Sequence, residues 1–590
     1  MTLSTLDWSI VGGFLVISLL IGIIVSRQSG KSSADFFLSG RNMPWWLLGV
    51  SMVATTFSAD TPNLVTDLVR KDGVAGNWVW WAFLITGMLT VFVYAKLWRR
   101  SGILTDLEFY ELRYSGKEAA FLRGFRSLYL GVVFNVLVMA TVCLAAIKIG
   151  STLLGLEPIQ TLLIASVITV AYSAIGGLRG IILTDFFQFI IAMIGTVWAA
   201  IVIVNLPQVG GLEALVTHEN VVGKMDLIPD FSNTEALVTL MIIPLAVQWW
   251  AAYYPGAEPG GGGYIAQRML SAKDEKNAVG ATLLFNIAHY ALRPWPWILI
   301  ALASLIVFPN LESIQTAFPD IDESIIDDDL AYPAMLTYLP QGLLGIVVAS
   351  LVAAFMSTIS THLNWGSSYI VNDFYKRFIN AEASEKKLVS LGRLSTVVLM
   401  ILSAFVALYL DSAKDAFGII VLMGAGTGLL FILRWFWWRI NAYSEIAAMV
   451  ISLLVAIIFK FVLPKGTLEG HVELLLSVAI TTVGWIAVTL MTKPVDRKTL
   501  IDFYKLIKPH SNGWKPVINQ AIAEEQIKGS DVTTGQLPTE LSGMFAGIFL
   551  VYGILFTTGL FLYGQTMNAL IGVAISAVSA FLLWRSWQKV

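Results

Sequence analysis

Four neighbouring hydroxyl side chains lie at 357–361, within a strongly apolar segment at about residues 340–375. They are Ser357, Thr358, Ser360 and Thr361. On a helix, Ala354 shares one face with Ser357, Thr358 and Thr361, and Ser360 lies at the edge of that face. Uncharged oxygen atoms inside a bilayer suit a small, hard cation that must bind and later leave. The alternative stays open that these hydroxyls bond to carbonyls of their own helix or join it to a neighbour.

The composition indicates the kind of protein that positions this face. Of the 590 residues, 56% are hydrophobic and 13% are charged, about half the charged fraction of a soluble protein. Because the apolar runs are too long for barrel strands, we expect an all-α polytopic membrane protein. The net charge of −2 comes without a basic run that would favour nucleic acid. The single cysteine, Cys143, excludes a disulfide framework and a cysteine metal site.

Hydropathy predicts about 15 membrane-spanning helices. Their approximate residues are 8–26, 44–69, 78–98, 120–150, 158–178, 183–205, 234–256, 278–308, 340–373, 388–410, 414–438, 443–463, 472–491, 540–562 and 566–585. The polar stretch at residues 492–539 separates the predicted helices 472–491 and 540–562, and it is too short for a catalytic domain. The two helices that follow it look like an appendage to a thirteen-helix body.

Basic residues predict the orientation of these helices in a cell membrane. Most of the Lys and Arg residues fall in loops that are cytoplasmic if the N-terminus is outside. The positive-inside rule therefore places the N-terminus outside and the C-terminus in the cytoplasm. The loop 309–339, which would be external, has no basic residue. Its acidic residues are Glu312, Asp320, Asp322, Glu323, Asp327, Asp328 and Asp329.

Two predicted helices contain residues that break a helix. In the second helix, small and polar residues run from Ser51 to Pro62; the seventh helix meets Pro255, Glu258 and four glycines at 260–263. Proline and glycine free backbone carbonyls, which must find other partners in a bilayer. Interrupted helices five helices apart indicate an inverted five-plus-five repeat with a binding site at the midplane. The glycine run is also compatible with a loop at the cytoplasmic end of the seventh helix.

This organisation divides the chain into six parts. They are an N-terminal extra helix and loop (1–43), a first inverted repeat (44–205), a second inverted repeat with its preceding external loop (206–438), two extra helices (439–491), a cytoplasmic loop (492–539) and two C-terminal helices (540–590).

Four short motifs resemble the sodium:solute symporter family, which includes sodium/glucose, sodium/proline and sodium/sialic acid transporters. The motifs lie at residues 105–114, 172–179, 264–268 and 353–358, the second followed by Thr184, Asp185 and Gln188, and the last by Asn364 and 373–376. They occur in the family's order, and the resemblance covers about residues 8–460. It implies a LeuT-type fold and transport by alternating access, coupled to Na⁺.

The resemblance also implies which residues bind the ion. The family's common sodium site corresponds here to the carbonyls of Ala54, Phe57 and Ala354 and the hydroxyls of Ser357 and Thr358. Some members hold a second sodium, and the matching positions are Asp185, Ser357, Ser360 and Thr361. All four keep oxygen-bearing side chains, and a helix-capping role for Asp185 remains the alternative.

The solute site departs from the sugar-transporting members. Asp60 and Thr61 replace their Glu-Gln pair, Asn77 replaces a glutamate, and the glycine run replaces an asparagine before Tyr264. Tyr264 matches an aromatic residue that closes the site, although packing is the alternative role. Three aromatic or acidic residues of the seventh helix join the candidate set: Trp250, Tyr253 and Glu258.

Arg293 lies midway along the predicted helix 278–308, where an unpaired charge costs several kcal/mol. Three hypotheses remain open. The arginine pairs with Asp60 or Glu258, or it faces the cavity and holds a solute carboxylate, or the helix is shifted so that it lies near a surface. The neighbouring His289, and His362, are predicted to be core histidines.

Together these features predict a sodium-coupled symporter that imports a small polar organic solute, such as a sugar, sugar acid or other carboxylate. The expected partners are Na⁺, the solute and the lipid bilayer, without nucleic acid. We expect no enzymatic activity, because no His, Asp and Glu cluster gathers at one membrane face. A transporter-like sensor or an ion channel without coupled uptake is the alternative.

Overall fold

The structure, a computed structural model, describes residues 3–29, 32–254, 256–410, 420–422, 424–464, 466–532 and 537–588. Its main helices are α1 (Thr5–Ser29), α2 (Trp45–Thr56), α3 (Asp60–Asp72), α4 (Val74–Ser101), α5 (Gly116–Leu154), α6 (Pro158–Val204), α7 (Thr234–Ala251), α8 (Gly263–Ser271), α9 (Glu275–Val307), α10 (Leu343–Ile379), α11 (Glu385–Ala407), α12 (Gly428–Leu433), α13 (Ala442–Ile457), α14 (Gly470–Met491), α15 (Arg497–Ile507), α16 (Lys515–Ala523), α17 (Leu537–Leu562) and α18 (Thr566–Trp587). Short helices in the connections span Ser33–Leu38, Phe109–Arg113, Leu212–Thr217, Glu219–Val222, Leu311–Ala317 and Ala331–Leu336.

The predicted all-helical membrane fold is confirmed. Among the described residues, 11 helices are long and apolar enough to cross a bilayer, and three shorter apolar helices span Trp45–Thr56, Pro158–Ala171 and Ala442–Ile457. Every predicted span except 414–438 overlaps one of these helices. That segment lies partly outside the described residues, and its described part contains α12. The total of about 15 spans therefore stays a prediction.

The predicted spans 158–178 and 183–205 overlap the two halves of α6, which meet at a kink and not at a loop between 178 and 183. The kink is at Gly177, where the backbone leaves the helical region with φ 56° and ψ −167°. Such a left-handed conformation costs glycine little. Asp185 lies eight residues after Gly177 in the same helix, and α6 packs against α1, α2 and α10.

The acidic residues of loop 309–339 pair with basic residues of α3 and α5. The ion pairs join Arg70 to Asp328 at 2.7 Å, Lys71 to Asp327 at 3.0 Å and Lys148 to Asp329 at 2.8 Å. Burial disfavours the ionised form of Asp327, but the Asp328 backbone N–H and the Lys71 ammonium outweigh it and lower its pKa. These pairs tie the loop to both helices.

The predicted cytoplasmic loop 492–539 contains two packed helices, α15 and α16. Trp514 between them is fully buried, and its indole N–H donates to the Trp435 carbonyl at 3.0 Å. The Trp438 N–H donates to the Gly513 carbonyl at 3.2 Å, and the Arg100 guanidinium donates to the Ile507 carbonyl at 2.7 Å. The segment is therefore docked on the membrane body.

The first of the two C-terminal helices, α17, is also more than an appendage. It packs against α4 and α9. The Trp295 indole N–H donates to the Leu555 carbonyl at 2.8 Å, and the Tyr552 hydroxyl donates to the Trp81 carbonyl at 2.8 Å. By contrast, α18 packs mainly on α17.

Replacing Trp514 tests the docking of the 492–539 segment. We expect Trp514→Ala to cost about 3–5 kcal/mol, as for other buried aromatic residues, because it removes both packing and a hydrogen bond. Thermal unfolding of the purified chain in detergent measures this effect. Trp584→Ala on α18 is the matched control, since that side chain is 57% exposed. Equal shifts for the two variants would contradict the docking.

Candidate functional site

The second membrane helix is broken between α2 and α3. The last backbone bond of α2 runs from the Phe57 N–H to the Val53 carbonyl at 2.8 Å, and α3 begins at Asp60. Phe57 itself leaves the helical region, with φ −82° and ψ 76°. The break falls within the predicted Ser51–Pro62 stretch. It releases backbone carbonyls from helical pairing close to Ala54 and Phe57.

The hydroxyl-bearing face of α10 contacts this break. The Thr358 hydroxyl donates to the Thr55 carbonyl at 2.6 Å, and the Thr55 and Thr361 hydroxyl oxygens lie 3.0 Å apart. Ala54, Ser357 and Thr358 are all buried, at 2%, 1% and 4% exposure. The structure thus brings together the two chain segments from which the sequence predicts a sodium site.

The hydrogen bonds of Ser357 and Thr358 leave their hydroxyl oxygens suited to bind a cation. The Ser357 hydroxyl donates to Asp185 Oδ1 at 2.7 Å, and Thr358 donates to the Thr55 carbonyl. Because each proton is directed to an acceptor, the oxygen lone pairs remain available for an ion. By contrast, Ser360 donates to the Ser357 carbonyl on its own helix at 3.1 Å.

Asp185 lies at the centre of a buried polar network with Arg268. Its Oδ2 accepts from the Ser51 hydroxyl at 2.5 Å and lies 3.8 Å from Arg268 Nη2. Arg268 is fully buried and donates to the Thr361 hydroxyl oxygen at 2.6 Å and to Ser51 Oγ at 3.3 Å. The positive charge that faces Asp185 therefore comes from the protein itself.

A cavity of about 100 Å³ adjoins the break in the second helix. Its polar lining is provided by Thr56, Ser58, Asp60, Thr61, Thr141, Tyr254, Tyr264, His289, Tyr290, His362, Thr55 and Thr358. The indole of Trp80, which also lines the cavity, stacks on Tyr290 with ring centroids 5.8 Å apart. One carboxylate oxygen of Asp60, Oδ1, is buried without a hydrogen-bond partner among the described residues.

Three predicted solute residues line this cavity: Asp60, Thr61 and Tyr264. The close approach of Tyr264 depends on Gly256, since a Cβ there would lie 2.5 Å from the Tyr264 hydroxyl oxygen. The described lining also includes His289 and His362. His362 Nδ1 lies 2.6 Å from Asn135 Oδ1, so His362 has a hydrogen-bond partner.

The other five predicted solute residues are not part of the described cavity lining. Asn77 accepts from the Trp80 indole at 2.9 Å and donates to the Val74 carbonyl at 2.9 Å. The Trp250 indole donates to Ala246 of its own helix at 2.7 Å. Each of these side chains is turned towards its own segment.

The seventh membrane helix is interrupted between α7, which ends at Ala251, and α8, which begins at Gly263. Tyr253 and Glu258 lie in this break, but neither belongs to the described lining of the solute cavity. Tyr253 packs edge-on against Phe134 and Phe431, with centroid distances of 5.4 Å and 6.0 Å. Glu258 borders a separate, smaller cavity.

Arg293 is fully buried inside the protein. The alternative that it lies nearer a membrane surface stays a hypothesis, because burial in the protein does not measure depth in the bilayer. Its Nη1 donates to the Val53 carbonyl at 3.1 Å, and its guanidinium contacts His289. The same guanidinium lies over the rings of Phe57 and Trp297 at 5.6 Å and 5.4 Å. Arg293 thus stabilises the C-terminal end of α2 by a hydrogen bond to a carbonyl of its last turn.

Neither ionic hypothesis for Arg293 has a direct contact to support it. Within the described part of the chain, no carboxylate lies within 4.0 Å of Arg293, including those of Asp60 and Glu258. The arginine is also outside the described lining of the cavity.

Sequence reasoning missed several cavity residues. Trp80 and Thr141 belong to helices without a breaker, and nothing in hydropathy distinguishes Trp80 from a packing residue. For Thr141, the available signal was a hydroxyl in an otherwise apolar run of α5. Ser51 and Arg268 were within recognised segments, but their link to Asp185 depends on how three helices meet.

Comparisons with known proteins agree with this geometry. The sequence profile of the sodium:solute symporter family matches residues 36–452. The chain is 28% identical to a sodium/glucose cotransporter of Vibrio parahaemolyticus over 78% of its own length and 86% of the relative. It is 24% identical to a sodium/sialic acid symporter of Proteus mirabilis (77% and 90% covered) and to a sodium/proline symporter of Haemophilus influenzae (83% and 96% covered).

A solved structure supports the fold. The substrate-bound, outward-open state of a Na⁺-coupled sialic acid symporter superposes with a TM-score of 0.67 at 21% identity, covering 84% of this chain and 99% of that one. This likeness confirms the LeuT-type architecture. From the family profile, which covers most of the chain, and from the shared fold, we conclude that the protein belongs to the sodium:solute symporter family, a family of membrane transporters.

Proposed function

We propose that this chain imports a small, neutral, polyhydroxylated solute together with Na⁺ by alternating access. The observation that carries the solute class is the cavity beside the broken helix, with its hydroxyls, aromatic rings and single described carboxylate. We also propose that the N-terminus is outside and the C-terminus cytoplasmic, because the basic loops indicate this orientation. The chain then acts as a transporter and not as an enzyme.

The size of the cavity supports a solute of monosaccharide dimensions. A water needs roughly 10–15 Å³ of this kind of volume. A cavity of about 100 Å³ therefore holds about seven to ten waters, which is comparable with the space that a six-carbon sugar displaces. The stacked pair of Trp80 and Tyr290 offers aromatic surface for a sugar ring.

The charge of the cavity opposes a carboxylate as the solute. Asp60 is the acidic side chain of the described lining, which contains neither Lys nor Arg to pair with an anion. Arg293, the residue that could hold an anion, bonds instead to Val53 and contacts His289. A carboxylate can accept hydrogen bonds from sugar hydroxyls. The same unpaired Asp60 oxygen also favours a cationic solute, which is the second candidate.

The proposed Na⁺ binds at the contact between α2 and α10. Its ligands are the carbonyls of Ala54, Phe57 and Ala354 and the hydroxyls of Ser357 and Thr358. Support comes from the broken helix, the orientation of the two hydroxyls and the family resemblance. One Na⁺ moving inward through 100 mV releases about 2.3 kcal/mol, which can drive solute accumulation.

We propose a structural role for Asp185 in place of a second sodium site formed with Ser360 and Thr361. Arg268 already faces Asp185, and its guanidinium binds the Thr361 hydroxyl. Adding Na⁺ would leave an excess positive charge in a buried setting, which is costly.

Removing the hydroxyls of α10 tests the sodium site. We expect Ser357→Ala and Thr358→Val each to raise the Na⁺ concentration for half-maximal uptake about tenfold, since a lost ligand costs roughly 1–2 kcal/mol. Na⁺-dependent solute uptake into proteoliposomes measures this change. Ser350→Ala is the control on the same helix, because Ser350 bonds to its own helix at Val347. Unchanged Na⁺ dependence in both variants would remove these residues as ligands.

Neutralising Asp185 distinguishes the two roles for that residue. We expect Asp185→Asn to lower stability but leave the Na⁺:solute coupling ratio unchanged, because Arg268 and not an ion pairs with it. Reversal potentials in proteoliposomes give the ratio. A lower ratio in folded protein would instead establish a sodium site at Asp185.

A competition experiment tests the proposed class of solute. We expect neutral sugars or polyols to compete for uptake and the corresponding sugar acids to compete poorly. Asp60→Asn should weaken binding of the neutral solute by about tenfold or more, the effect of losing a charged hydrogen bond. Asp230→Asn in an exposed connection is the control. Preferred uptake of a sugar acid would contradict the proposal, and preferred uptake of an amine would establish the second candidate.

A further inference from the structure

A second and much smaller cavity adjoins the solute cavity at the break of the seventh helix. The two cavities share Gly256, Ala257 and Phe285 in their linings. The small cavity measures about 10 Å³, which is room for one water or one ion. Its polar lining comes from Thr90, Glu258, Thr282 and Asn286.

Two buried oxygen atoms among these residues have no hydrogen-bond donor in the described chain. Glu258 is 3% exposed and Asn286 fully buried, and the unpartnered atoms are Glu258 Oε2 and Asn286 Oδ1. The orientation of the Asn286 amide is set by its Nδ2, which donates to the Thr282 carbonyl at 2.8 Å. The unpartnered atom of each side chain is therefore an acceptor.

The two threonines of the small cavity present acceptors as well. The Thr90 hydroxyl donates to the Thr86 carbonyl at 2.9 Å, and the Thr282 hydroxyl donates to the Ala278 carbonyl at 2.9 Å. Their lone pairs remain available. A water-sized space lined by a carboxylate, an amide oxygen and two hydroxyl oxygens has the ligand chemistry of a hard cation.

The charge of Glu258 is not compensated in the way that the charge of Asp185 is. No Lys, Arg or His of the described chain lies within 4.0 Å of the Glu258 carboxylate, whereas Arg268 lies 3.8 Å from Asp185. A second acidic residue, Asp106, is near: a Cβ at Gly262 would lie 3.4 Å from Glu258 Cβ and 3.9 Å from Asp106 Oδ2. Asp106 accepts from the Gly263 N–H at 3.0 Å and from the Tyr369 hydroxyl.

Glycines make room for the side chains of Asn286 and Glu258. A Cβ on Gly87 would lie 1.8 Å from Asn286 Oδ1, and a Cβ on Gly263 would lie 2.6 Å from Glu258 Oε1. A larger residue at Gly87 would displace Asn286, and a larger residue at Gly263 would displace Glu258. The glycine run that interrupts the seventh helix thus allows Glu258 to take its buried position.

We propose that Glu258 and Asn286 hold a monovalent cation, Na⁺, at the break of the seventh helix. This inference rests on the proposed function, since it adds a second coupling ion to Na⁺-driven import. The ion neutralises the buried carboxylate and ties the break to α9. The site is distinct from Asp185, and Glu258 acts here as an ion ligand and not as a contact of the solute.

Equilibrium binding of radioactive Na⁺ to the purified full-length chain, without solute, tests this proposal. We expect two classes of Na⁺ site in the parent protein and one in Glu258→Gln. In Asn286→Ala the second class should bind at least about tenfold more weakly, an effect typical even of outer partners of metal ligands. Glu312→Gln in the exposed external loop is the matched control and should retain both classes. Size-exclusion chromatography checks that each variant is folded.

The outcomes separate this proposal from the function on which it rests. Ser357→Ala should weaken the other class of Na⁺ site about tenfold and leave unchanged the one that depends on Glu258. If Glu258→Gln and Asn286→Ala both retain two classes, or only one class exists in the parent, the site holds water and the proposal fails. If Glu258→Gln instead abolishes a proton exchange and leaves Na⁺ binding intact, Glu258 carries a proton and the Na⁺ assignment is overturned. Absence of Na⁺-dependent uptake in the parent would reject the proposed function itself.

Discussion

The contact between the broken second helix and the hydroxyl-bearing face of α10 is the constraint on which the site depends. A helix that ends within the bilayer exposes backbone carbonyls, and lipid cannot satisfy them. Here the Thr358 hydroxyl bonds to the Thr55 carbonyl, and Arg293 bonds to the Val53 carbonyl. These hydrogen bonds stabilise the break, but they do not use every acceptor position of its carbonyl oxygens. The same arrangement that makes the break tolerable therefore provides ligands for an ion.

The buried charges of the membrane body fall into compensated and uncompensated groups. Asp185 faces Arg268, and Lys148 lies 2.8 Å from Asp329. For such pairs the protein supplies both signs, and the contact is a fixed part of the fold. The Asp60 oxygen that lines the solute cavity and the Glu258 oxygen in the small cavity have no such partner among the described residues. Uncompensated carboxylates mark the places where a mobile partner, a solute or an ion, can complete the charge balance.

The membrane helices could be predicted from the sequence, but the way in which they are oriented against each other could not. Hydropathy located almost every described membrane helix, because a bilayer requires long apolar segments. The break at Phe57 and the hydroxyl face of α10 were predictable because small, polar residues are rare in such segments. Asn77 and Trp250 were assigned to the solute site by their positions in the sequence, but the rotation of each helix turns them towards their own backbone. The bend of α6 lies at Gly177 because backbone conformation there, and not hydropathy, decides where the helix turns.

The solute cavity takes its walls from both broken helices, and this links ion binding to solute binding. Thr56, Ser58 and Asp60 come from the first break, whereas Gly256, Ala257 and Tyr264 come from the second. The backbone at each break leaves helical pairing, so a bound ion that contacts one conformation of the break favours that conformation. An ion that joins α2 to α10 fixes the first wall, and an ion that joins Glu258 to α9 fixes the second. The solute then meets a complete site only when the breaks are ordered, and by thermodynamic reciprocity the bound solute strengthens the binding of the ions.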